Sequence, residues 1–374
     1  MLIKNLQIYG ENKKFYQGDI GIKDGKFVLP SEAGTEVIDG MGYFAIPGLL
    51  DIHFHGCMGD DFCDGDVEAT ARMAKYQAEN GITSINPATM SLSHEDLKGI
   101  MAAGAEFKKG KYPGAKLVGI NMEGPFINVS KKGAQNAKYV VPTNYAMYKD
   151  LQTLSEGLIT LVDIAPEEEG ALEFIKETKD EVRISIAHTT ANYEQAENAF
   201  AAGATHVTHL YNAMPPFNHR EPGVVGAAFD QKDAFVELIC DGFHIHPAVV
   251  RATFTLFGPD RVVLISDSMR ATGLPDGEYE LGGQKVFLKA GKCTLTDGTI
   301  AGSSRNLMQC LKTAVQKMDI PLDVAVGAAT INAAKSVGLD HICGSIKVGR
   351  AADLVLLDQD LNIKAVYIDG KEIK

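Results

Sequence analysis

Residues 47–56 read Pro47-Gly48-Leu49-Leu50-Asp51-Ile52-His53-Phe54-His55-Gly56. The stretch is typical of a short apolar strand that leads directly into two histidines two residues apart. Side chains alternate faces along a strand, so His53 and His55 point the same way, and from the end of a barrel strand both can face one ion. Gly56 then allows a sharp turn. A His-x-His pair alone is common on protein surfaces, but the Pro-Gly entry and Asp51 on the same face distinguish this one.

The composition is that of an acidic globular protein. The chain has 374 residues, more than one average domain and enough for a barrel with an appendage. A hydrophobic fraction of 45% and a charged fraction of 22% are ordinary for a protein with a large core. The formal net charge of −12 argues against general binding to nucleic acids or anionic membranes, so an anionic substrate needs a local basic site.

Six cysteines are scattered along the chain, at positions 57, 63, 240, 293, 310 and 343. Neither a disulfide framework nor zinc-knuckle spacing is present, and Cys57, beside the histidine pair, is interpreted as a small buried residue. The first residues lack the charged and apolar regions of a signal peptide, and no apolar run approaches transmembrane length. These features predict a cytoplasmic protein.

Both ends of the chain alternate short apolar runs with turn residues. We predict that residues 1–46 and 347–374 pair into one small β-sandwich domain around a middle domain, residues 47–346. In that middle domain, candidate strands alternate with helical patterns such as 66–80, 94–108, 169–179, 191–202 and 247–257. The candidate strands are 45–52, 82–87, 116–121, 158–163, 182–187, 205–209, 235–240 and 262–266. Eight such units predict an α/β fold with a (β/α)8 TIM-type barrel, and residues 277–298 look like a hairpin insertion.

Side chains suited to divalent metals fall at the carboxyl ends of the predicted strands, where barrel active sites lie. They are His53, His55, Glu123, His188, His209 and Asp267. Each has a structural alternative: Glu123 could be an ion-pair residue of a loop, and His188 or Asp267 could belong to a helix start. Six such coincidences at one rim are improbable, so a metal site is the favoured interpretation.

The remaining histidines are assigned separately. We interpret His206 and His246 as structural, and His94 and His341 as solvated. His244 follows the seventh predicted strand and is expected to contact substrate.

Imidazole and carboxylate ligands suit zinc, iron or manganese, and a carboxylate can bridge two ions. A bound cation lowers the pKa of water, and a free carboxylate nearby can take a proton and return it to a leaving group. No Gly-rich phosphate loop and no Ser or Cys nucleophile motif is present. The residues therefore indicate metal-assisted hydrolysis.

Residues 47–56 resemble the signature of the amidohydrolase superfamily. Other motifs resemble the N-acetylglucosamine-6-phosphate deacetylase family within it, and a segment from Gly344 to Asp358 resembles the usual return to the small domain. The family-like motifs are Met122-Glu-Gly-Pro-Phe-Ile-Asn, Ala187-His-Thr-Thr-Ala, Thr208-His-Leu-Tyr-Asn-Ala-Met, Arg220-Glu-Pro-Gly, Asp241-Gly-Phe-His and Ser266-Asp-Ser-Met.

The resemblance implies hydrolysis of the acetamide of N-acetylglucosamine 6-phosphate, giving acetate and glucosamine 6-phosphate. It implies that Glu123, His188 and His209 hold one metal, that Asp267 is the catalytic acid and base, and that Arg220 reaches the substrate phosphate in the other subunit of a homodimer. Substrate contacts are implied for Ala134, Gln135, Asn212, Ala213, His244, Ile300, Ala301, Gly302 and Ser303.

Two departures from the family pattern bear on the metal. Both His53 and His55 are present, whereas some members lack these histidines and bind one ion, so we expect two ions per chain, zinc first and iron or manganese as alternatives. Gln135 stands where many members carry histidine; it can donate a hydrogen bond to the acetyl carbonyl but cannot become cationic.

Two other functions remain open. One is deacetylation of N-acetylgalactosamine 6-phosphate, which differs at one sugar hydroxyl. The other is a non-catalytic binding protein with the same fold, which should have lost ligands, whereas all six are intact here.

Overall fold

A computed structural model describes all 374 residues of the chain. Ten α-helices are formed: α1 (Val67–Glu79), α2 (His94–Lys109), α3 (Tyr145–Leu154), α4 (Ala171–Thr178), α5 (Tyr193–Ala202), α6 (Gly223–Asp230), α7 (Pro247–Phe257), α8 (Leu307–Met318), α9 (Leu322–Ala328) and α10 (Ile331–Ser336). The strands are β1 (Leu2–Tyr9), β2 (Phe15–Lys23), β3 (Lys26–Val28), β4 (Val37–Asp39), β5 (Phe44–Pro47), β6 (Leu49–Asp51), β7 (Gly56–Cys57), β8 (Asp60–Asp61), β9 (Ile82–Ile85), β10 (Lys116–Leu117), β11 (Ile120–Glu123), β12 (Ile159–Ile164), β13 (Arg183–Ile186), β14 (His206–Val207), β15 (Phe235–Ile239), β16 (Val262–Ile265), β17 (Gly277–Leu281), β18 (Gln284–Lys289), β19 (Lys292–Thr294), β20 (Leu354–Leu357), β21 (Ile363–Ile368) and β22 (Lys371–Glu372).

The two ends of the chain share one eight-stranded sheet, ordered β22-β21-β20-β5-β1-β2-β3, with β4 paired to β1. Strand β5 lies between β1, which it pairs in parallel, and β20, which it pairs antiparallel. Alternate residues of these strands form a separate apolar cluster of 12 buried residues that includes Ile3, Ile20 and Leu354. The sheet therefore has its own core, contributed by both ends of the chain.

The middle of the chain forms parallel strands connected by helices. Six of these strands follow one another in the order β11 to β16, and β6, β9 and β10 form a second parallel sheet. A bridge between Ala88 and Asn121 joins the two sheets on one side. On the other side, the backbone N–H of Asp267 donates to the carbonyl of His53 at 2.9 Å. This arrangement is consistent with a TIM-type domain, and it brings the carboxyl ends of the strands together.

A glycine separates the eight-stranded sheet from the parallel strands. The predicted strand 45–52 is in fact two strands, β5 and β6, divided at Gly48. A Cβ atom at Gly48 would lie 2.0 Å from Oγ1 of Thr83, so only glycine allows β6 to approach β9 this closely. The predicted strand 116–121 is likewise divided into β10 and β11, around Gly119. Alternating apolar residues predicted the strands but not these divisions, which depend on contacts with distant residues.

The other predicted elements agree with the structure to within a few residues. Helices α1, α2, α4, α5 and α7 match the predicted helical patterns, and α2 begins after Ser93, whose side chain accepts from the N–H of Asp96. The predicted hairpin 277–298 is a three-stranded antiparallel sheet, β17 to β19. All six cysteines are free, and Cys57 is buried. None of the helices is both long enough and apolar enough to span a bilayer.

Candidate metal and substrate site

The six residues predicted as metal ligands lie at one end of the parallel strands. His53, His188, His209 and Asp267 each follow the last residue of a strand by two positions, and Glu123 ends β11. Two groups of potential ligand atoms result, and Glu123 belongs to both. The first group is His53, His55 and Glu123, and the second is Glu123, His188 and His209.

The distances within the second group fit a single cation. Nε2 of His188 lies 3.0 Å from Oε1 of Glu123, and Nε2 of His209 lies 3.4 Å from the same oxygen. The two Nε2 atoms are 3.1 Å apart. A tetrahedral ion with ligand bonds of about 2.0–2.1 Å separates its ligand atoms by about 3.3 Å. The donor set and its spacing therefore suit a divalent cation.

The first group has similar spacing. Nε2 of His53 lies 3.5 Å from Oε1 of Glu123, and Nε2 of His55 lies 3.4 Å from Oε2. Asp267 lies beside this group, with Oδ1 at 3.4 Å from Nε2 of His55 and 4.0 Å from Nε2 of His53. Nε2 of His53 is buried and has no hydrogen-bond partner within the protein. Such an atom is satisfied when a cation accepts its lone pair.

Three of the candidate ligand side chains depend on an unusual backbone conformation. The φ angles are +43° at His188, +27° at His209 and +48° at Asp267, a region that residues other than glycine rarely adopt. Immediately past each strand, this conformation turns the side chain toward the common site. Neighbouring hydrogen bonds hold it in place, for example from the N–H of Ser303 to the carbonyl of Asp267 at 2.7 Å. Strained conformations of this kind are concentrated at functional sites.

The second ring nitrogen of two ligands is held by the protein. Nδ1 of His188 donates to the carbonyl of Lys131 at 2.8 Å, and Nδ1 of His53 lies 3.0 Å from Oε2 of Glu237. A backbone carbonyl can only accept, so the proton of a neutral His188 ring is on Nδ1 and its Nε2 carries a lone pair. This is the tautomer that a metal ligand requires.

The electrostatics of the site reflect its burial and its dense charges. Burial raises the pKa of Glu123, but the histidines around it, His53 first, outweigh burial and hold this pKa well below its usual value. Burial lowers the pKa of His53, yet Glu237 and Glu123 outweigh it and the pKa stands well above normal. The pKa of Asp267 is lowered in spite of burial, mainly by its contact with His55. Both carboxylates are therefore ionised near neutral pH.

Gln135 contacts a ligand directly. Its Nε2 donates to Oε2 of Glu123 at 2.8 Å, and its Oε1 accepts from the N–H of Ser91 at 2.5 Å. The amide orients the carboxylate that both groups share. One N–H of Gln135 is engaged in this way, and the other remains available toward the cavity that the residue lines.

A cavity of about 560 Å³ opens above the ligands, a size typical of small-molecule sites. On its wall, Nδ1 of His244 lies 2.8 Å from Oδ2 of Asp241, and Nδ2 of Asn212 donates to the carbonyl of His209. Most of the predicted site residues line this cavity, namely His55, Glu123, Ala134, Gln135, His188, His209, Asn212, Ala213, His244, Asp267, Ile300 and Gly302.

Four predicted site residues do not line the cavity. His53 lies below it and is completely buried, where it can still face a metal. Ala301 packs in an apolar cluster with Met269, and Ser303 is also buried, so both support the lining rather than form it. Arg220 is exposed on the loop before α6, outside the cavity of its own chain.

Three residues that line or support the site were not predicted from the sequence. Lys131 and Lys132 line the cavity and supply the local positive charge that an acidic protein needs for an anionic substrate. Their signal was the Lys-Lys pair that follows the Glu123 motif. Glu237 lies in the middle of β15, and its signal was a single charged residue within an apolar strand, Phe235-Val-Glu-Leu-Ile. His206, interpreted as structural, lies with its Nε2 at 3.1 Å from Oε1 of Glu237.

Comparison with known proteins identifies the family of this chain. A family model described as the amidohydrolase family matches residues 44–373. The chain belongs to the amidohydrolase family.

Among similar amidohydrolases is the N-acetylglucosamine-6-phosphate deacetylase of Bacillus subtilis (strain 168), 37% identical and covered over 97% of this chain and 94% of that protein. An N-acetylgalactosamine-6-phosphate deacetylase of Escherichia coli O157:H7 is 32% identical, over 94% of this chain and 93% of that protein. The solved structure of an Asp-to-Ala mutant of the Mycobacterium smegmatis N-acetyl-D-glucosamine-6-phosphate deacetylase, in complex with N-acetyl-D-glucosamine-6-phosphate, superimposes with a TM-score of 0.93. That structure is 30% identical, over 100% of this chain and 99% of that one.

Proposed function

We propose that this amidohydrolase hydrolyses the acetamide of N-acetylglucosamine 6-phosphate to acetate and glucosamine 6-phosphate. The observation that carries the proposal is the position of Asp267, a buried carboxylate that faces the cavity within 3.4 Å of a metal-ligand group. The deacetylases that match this chain over nearly its whole length support the substrate class.

Two divalent ions complete the site in this proposal. Glu123, His188 and His209 would hold one ion and His53 and His55 the other, with Glu123 belonging to both groups. Zinc suits these ligands best, with iron and manganese as alternatives. A divalent cation bound by these residues would supply Lewis-acid chemistry, polarising the acetyl carbonyl and lowering the pKa of a nearby water molecule.

Asp267 acts as the general base and then as the general acid. Its lowered pKa keeps it ionised, so it can accept a proton from the attacking water. It then returns that proton to the amine of the sugar as the carbon–nitrogen bond breaks. Gln135 directs an N–H toward the acetyl group, and Lys131 and Lys132 attract the anionic end of the substrate.

A homodimer completes the phosphate site. Arg220 lies on an exposed loop beside Phe217, a large apolar residue that is 51% exposed, and has no ion pair within its own chain. Guanidinium binds phosphate in a bidentate manner, and in this proposal Arg220 makes that contact with the sugar phosphate bound in the other subunit.

We also propose that the chain forms two domains. The parallel strands between residues 47 and 346 close into a (β/α)8 barrel, because backbone hydrogen bonds join the two parallel sheets on both sides. Residues 1–46 and 347–374 form the small β-sandwich domain, with the eight-stranded sheet folded over its core.

The test is an acetate-release assay on the 6-phosphates of both N-acetylglucosamine and N-acetylgalactosamine, with the metal content measured on the same sample. We expect faster turnover of the gluco epimer and loss of turnover when a chelator removes the metal. A faster rate on the galacto epimer would favour the alternative deacetylase instead. Metal binding without acetate release from either sugar would contradict both and favour a binding protein.

A further inference from the structure

Glu237 is a buried carboxylate that the proposed reaction does not use. It lies in the middle of β15, and its side chain has no exposure to solvent. An isolated ionised carboxylate in such a position is strongly unfavourable unless other groups compensate it. Its three partners therefore show what it does.

All three partners of Glu237 belong to or adjoin the metal-ligand groups. Its Oε2 accepts from Nδ1 of His53 at 3.0 Å and from the backbone N–H of His209, also at 3.0 Å. Its Oε1 lies 3.1 Å from Nε2 of His206, which is three residues before His209. One carboxylate thus contacts a ligand of the first group through its ring and a ligand of the second group through its backbone.

The contact with His53 determines which nitrogen faces the site. A carboxylate can only accept, so in the neutral ring that a metal requires the proton of His53 is on Nδ1, and Nε2 faces Glu123 with its lone pair. The opposite tautomer would lose the bond to Glu237 and direct a proton into the ligand group. A carboxylate behind a ligating histidine also increases the basicity of the ring.

The contact with His209 fixes the backbone of a residue in the second ligand group. His209 has a φ of +27°, and its N–H no longer follows the ladder between β14 and β15. The side chain of Glu237 accepts a hydrogen bond from the N–H of His209. The backbone carbonyl of Glu237 accepts one from the N–H of Leu210 at 2.9 Å. The strained backbone that turns His209 toward the site is therefore stabilised from β15.

We propose that Glu237 is a positioning residue for both metal-ligand groups, fixing the Nδ1–H tautomer of His53 and the backbone of His209. This inference rests on the proposed function, because it assigns a metal to the ligands that Glu237 orients.

In the experiment, metal-free protein is titrated with Zn²⁺ in a calorimeter, which measures the affinity. The zinc that remains bound after dialysis is then counted by metal analysis. Glu237→Gln keeps the shape of the side chain and an oxygen for His53 and His209, and His206 can accept from the new amide by changing its own tautomer. It removes the charge while keeping the hydrogen bonds to His53 and His209, and we expect zinc binding at the His53 group to weaken about tenfold. Glu237→Leu also removes the hydrogen bonds, and the loss should approach about 100-fold.

Asp163→Asn is the control for the change of shape and atom type alone. Burial raises the pKa of the Asp163 carboxyl well above its usual value, so this substitution alters a buried acidic side chain without removing a charge. Asp163 is a buried carboxylate on β12 that accepts from Oγ1 of Thr208 at 2.7 Å and bonds to none of the ligands. The zinc affinity of the Asp163→Asn protein should stay within about twofold of wild type, because Asp163 orients no ligand. Equal losses in Asp163→Asn and Glu237→Gln would show a general effect of altering buried carboxylates and would overturn the proposal.

A second measurement needs no variant of Glu237. In zinc-loaded wild-type protein with ¹⁵N-labelled histidine, Nδ1 of His53 should carry a proton, with the signal assigned by its absence in His53→Asn. An unprotonated Nδ1 would overturn the proposal even if both Glu237 variants failed to fold.

The outcomes separate this inference from the proposed function. Wild-type affinity in Glu237→Gln and Glu237→Leu, with an active metal-loaded wild type, would refute the role of Glu237 alone. A wild-type protein that binds no zinc and releases no acetate would refute the function itself.

Discussion

The floor and the rim of the cavity are built in opposite ways. The floor consists of the six potential ligands, which are all less than a tenth exposed. Five of them lie at a strand end or two residues past one, and His55 lies two residues after His53. The rim consists of loop residues at the cavity mouth and beyond it, such as Lys131, Lys132, Phe217 and Arg220, and all of them are partly or fully exposed. Floor residues are held by hydrogen bonds from neighbouring strands, whereas Arg220 bonds only through its backbone N–H, to Asn218.

This difference separates two tasks. A reaction that needs a proton carrier and ions at fixed spacing requires rigid positions, which strands and buried hydrogen bonds supply. Recognition of a phosphate at the far end of a sugar tolerates longer, mobile side chains. Substitutions in the floor should therefore reduce turnover and metal binding, whereas substitutions in the rim should raise KM.

The largest effect is expected for Asp267→Asn. Asparagine keeps the shape but cannot accept a proton, so kcat should fall on the order of 10²–10⁴-fold or more, with the fold and substrate binding retained. Turnover and metal content must be measured on one sample, since Asp267 also neighbours the first ligand group. Near-normal turnover at full metal occupancy would remove Asp267 from the reaction.

A smaller effect is expected for the double substitution His53→Asn and His55→Asn. The second group does not include these residues, so the protein should retain one ion of two while turnover falls roughly 10–100-fold. Metal analysis by mass spectrometry gives the count. If wild type and variant both hold one ion, the His53 group takes no part in metal binding.

The rim is tested by Arg220→Ala, which should raise KM for the phosphorylated sugar about tenfold and leave kcat nearly unchanged. Steady-state kinetics separate the two constants. A fall in kcat with KM unaltered would place Arg220 with the floor.

Co-expression of Asp267→Asn and Arg220→Ala chains tests whether the arginine acts between subunits. Random pairing makes about half of the dimers mixed, and one site in each mixed dimer is intact, restoring about a quarter of wild-type sites. The assay uses substrate well below the wild-type KM, where each parent alone is only weakly active. If Arg220 serves its own chain, the mixture stays at the activity of the parents.

The smallest effect is expected away from both regions, at His94. Its ring pairs with Asp150 at 3.0 Å, and both side chains are close to half exposed. His94→Gln should change the free energy of unfolding by less than about 1 kcal/mol and leave kcat and KM unaltered. Thermal denaturation measures the stability of the variant, and the acetate assay measures its kcat and KM. A large change in any of these quantities would show that the surface around His94 affects the site.

The sequence predicted that the candidate ligands lie together because each one lies at or just past the end of an apolar strand, and strand ends meet in a parallel fold. His188 and Asp267 could have been helix residues, but the N-cap of α5 is Asn192 and no helix follows Asp267 directly. The partners of Glu237 could not be predicted, because alternation along β15 indicates which face a residue occupies and not which side chain it meets. The same holds for Gln135, whose contact with Glu123 depends on the path of a loop.

Strand β5 has a consequence for how the chain matures during synthesis. It leads into the ligand-bearing segment through Gly48, and one of its edges is covered by β20, more than 300 residues later. Until the ribosome has released that late segment, the edge beside the future active site is open to pairing with other nascent chains. Termination of translation upstream of Leu354 would leave the same edge exposed permanently. A segment made late in synthesis therefore protects the strand that leads into the first part of the site to appear.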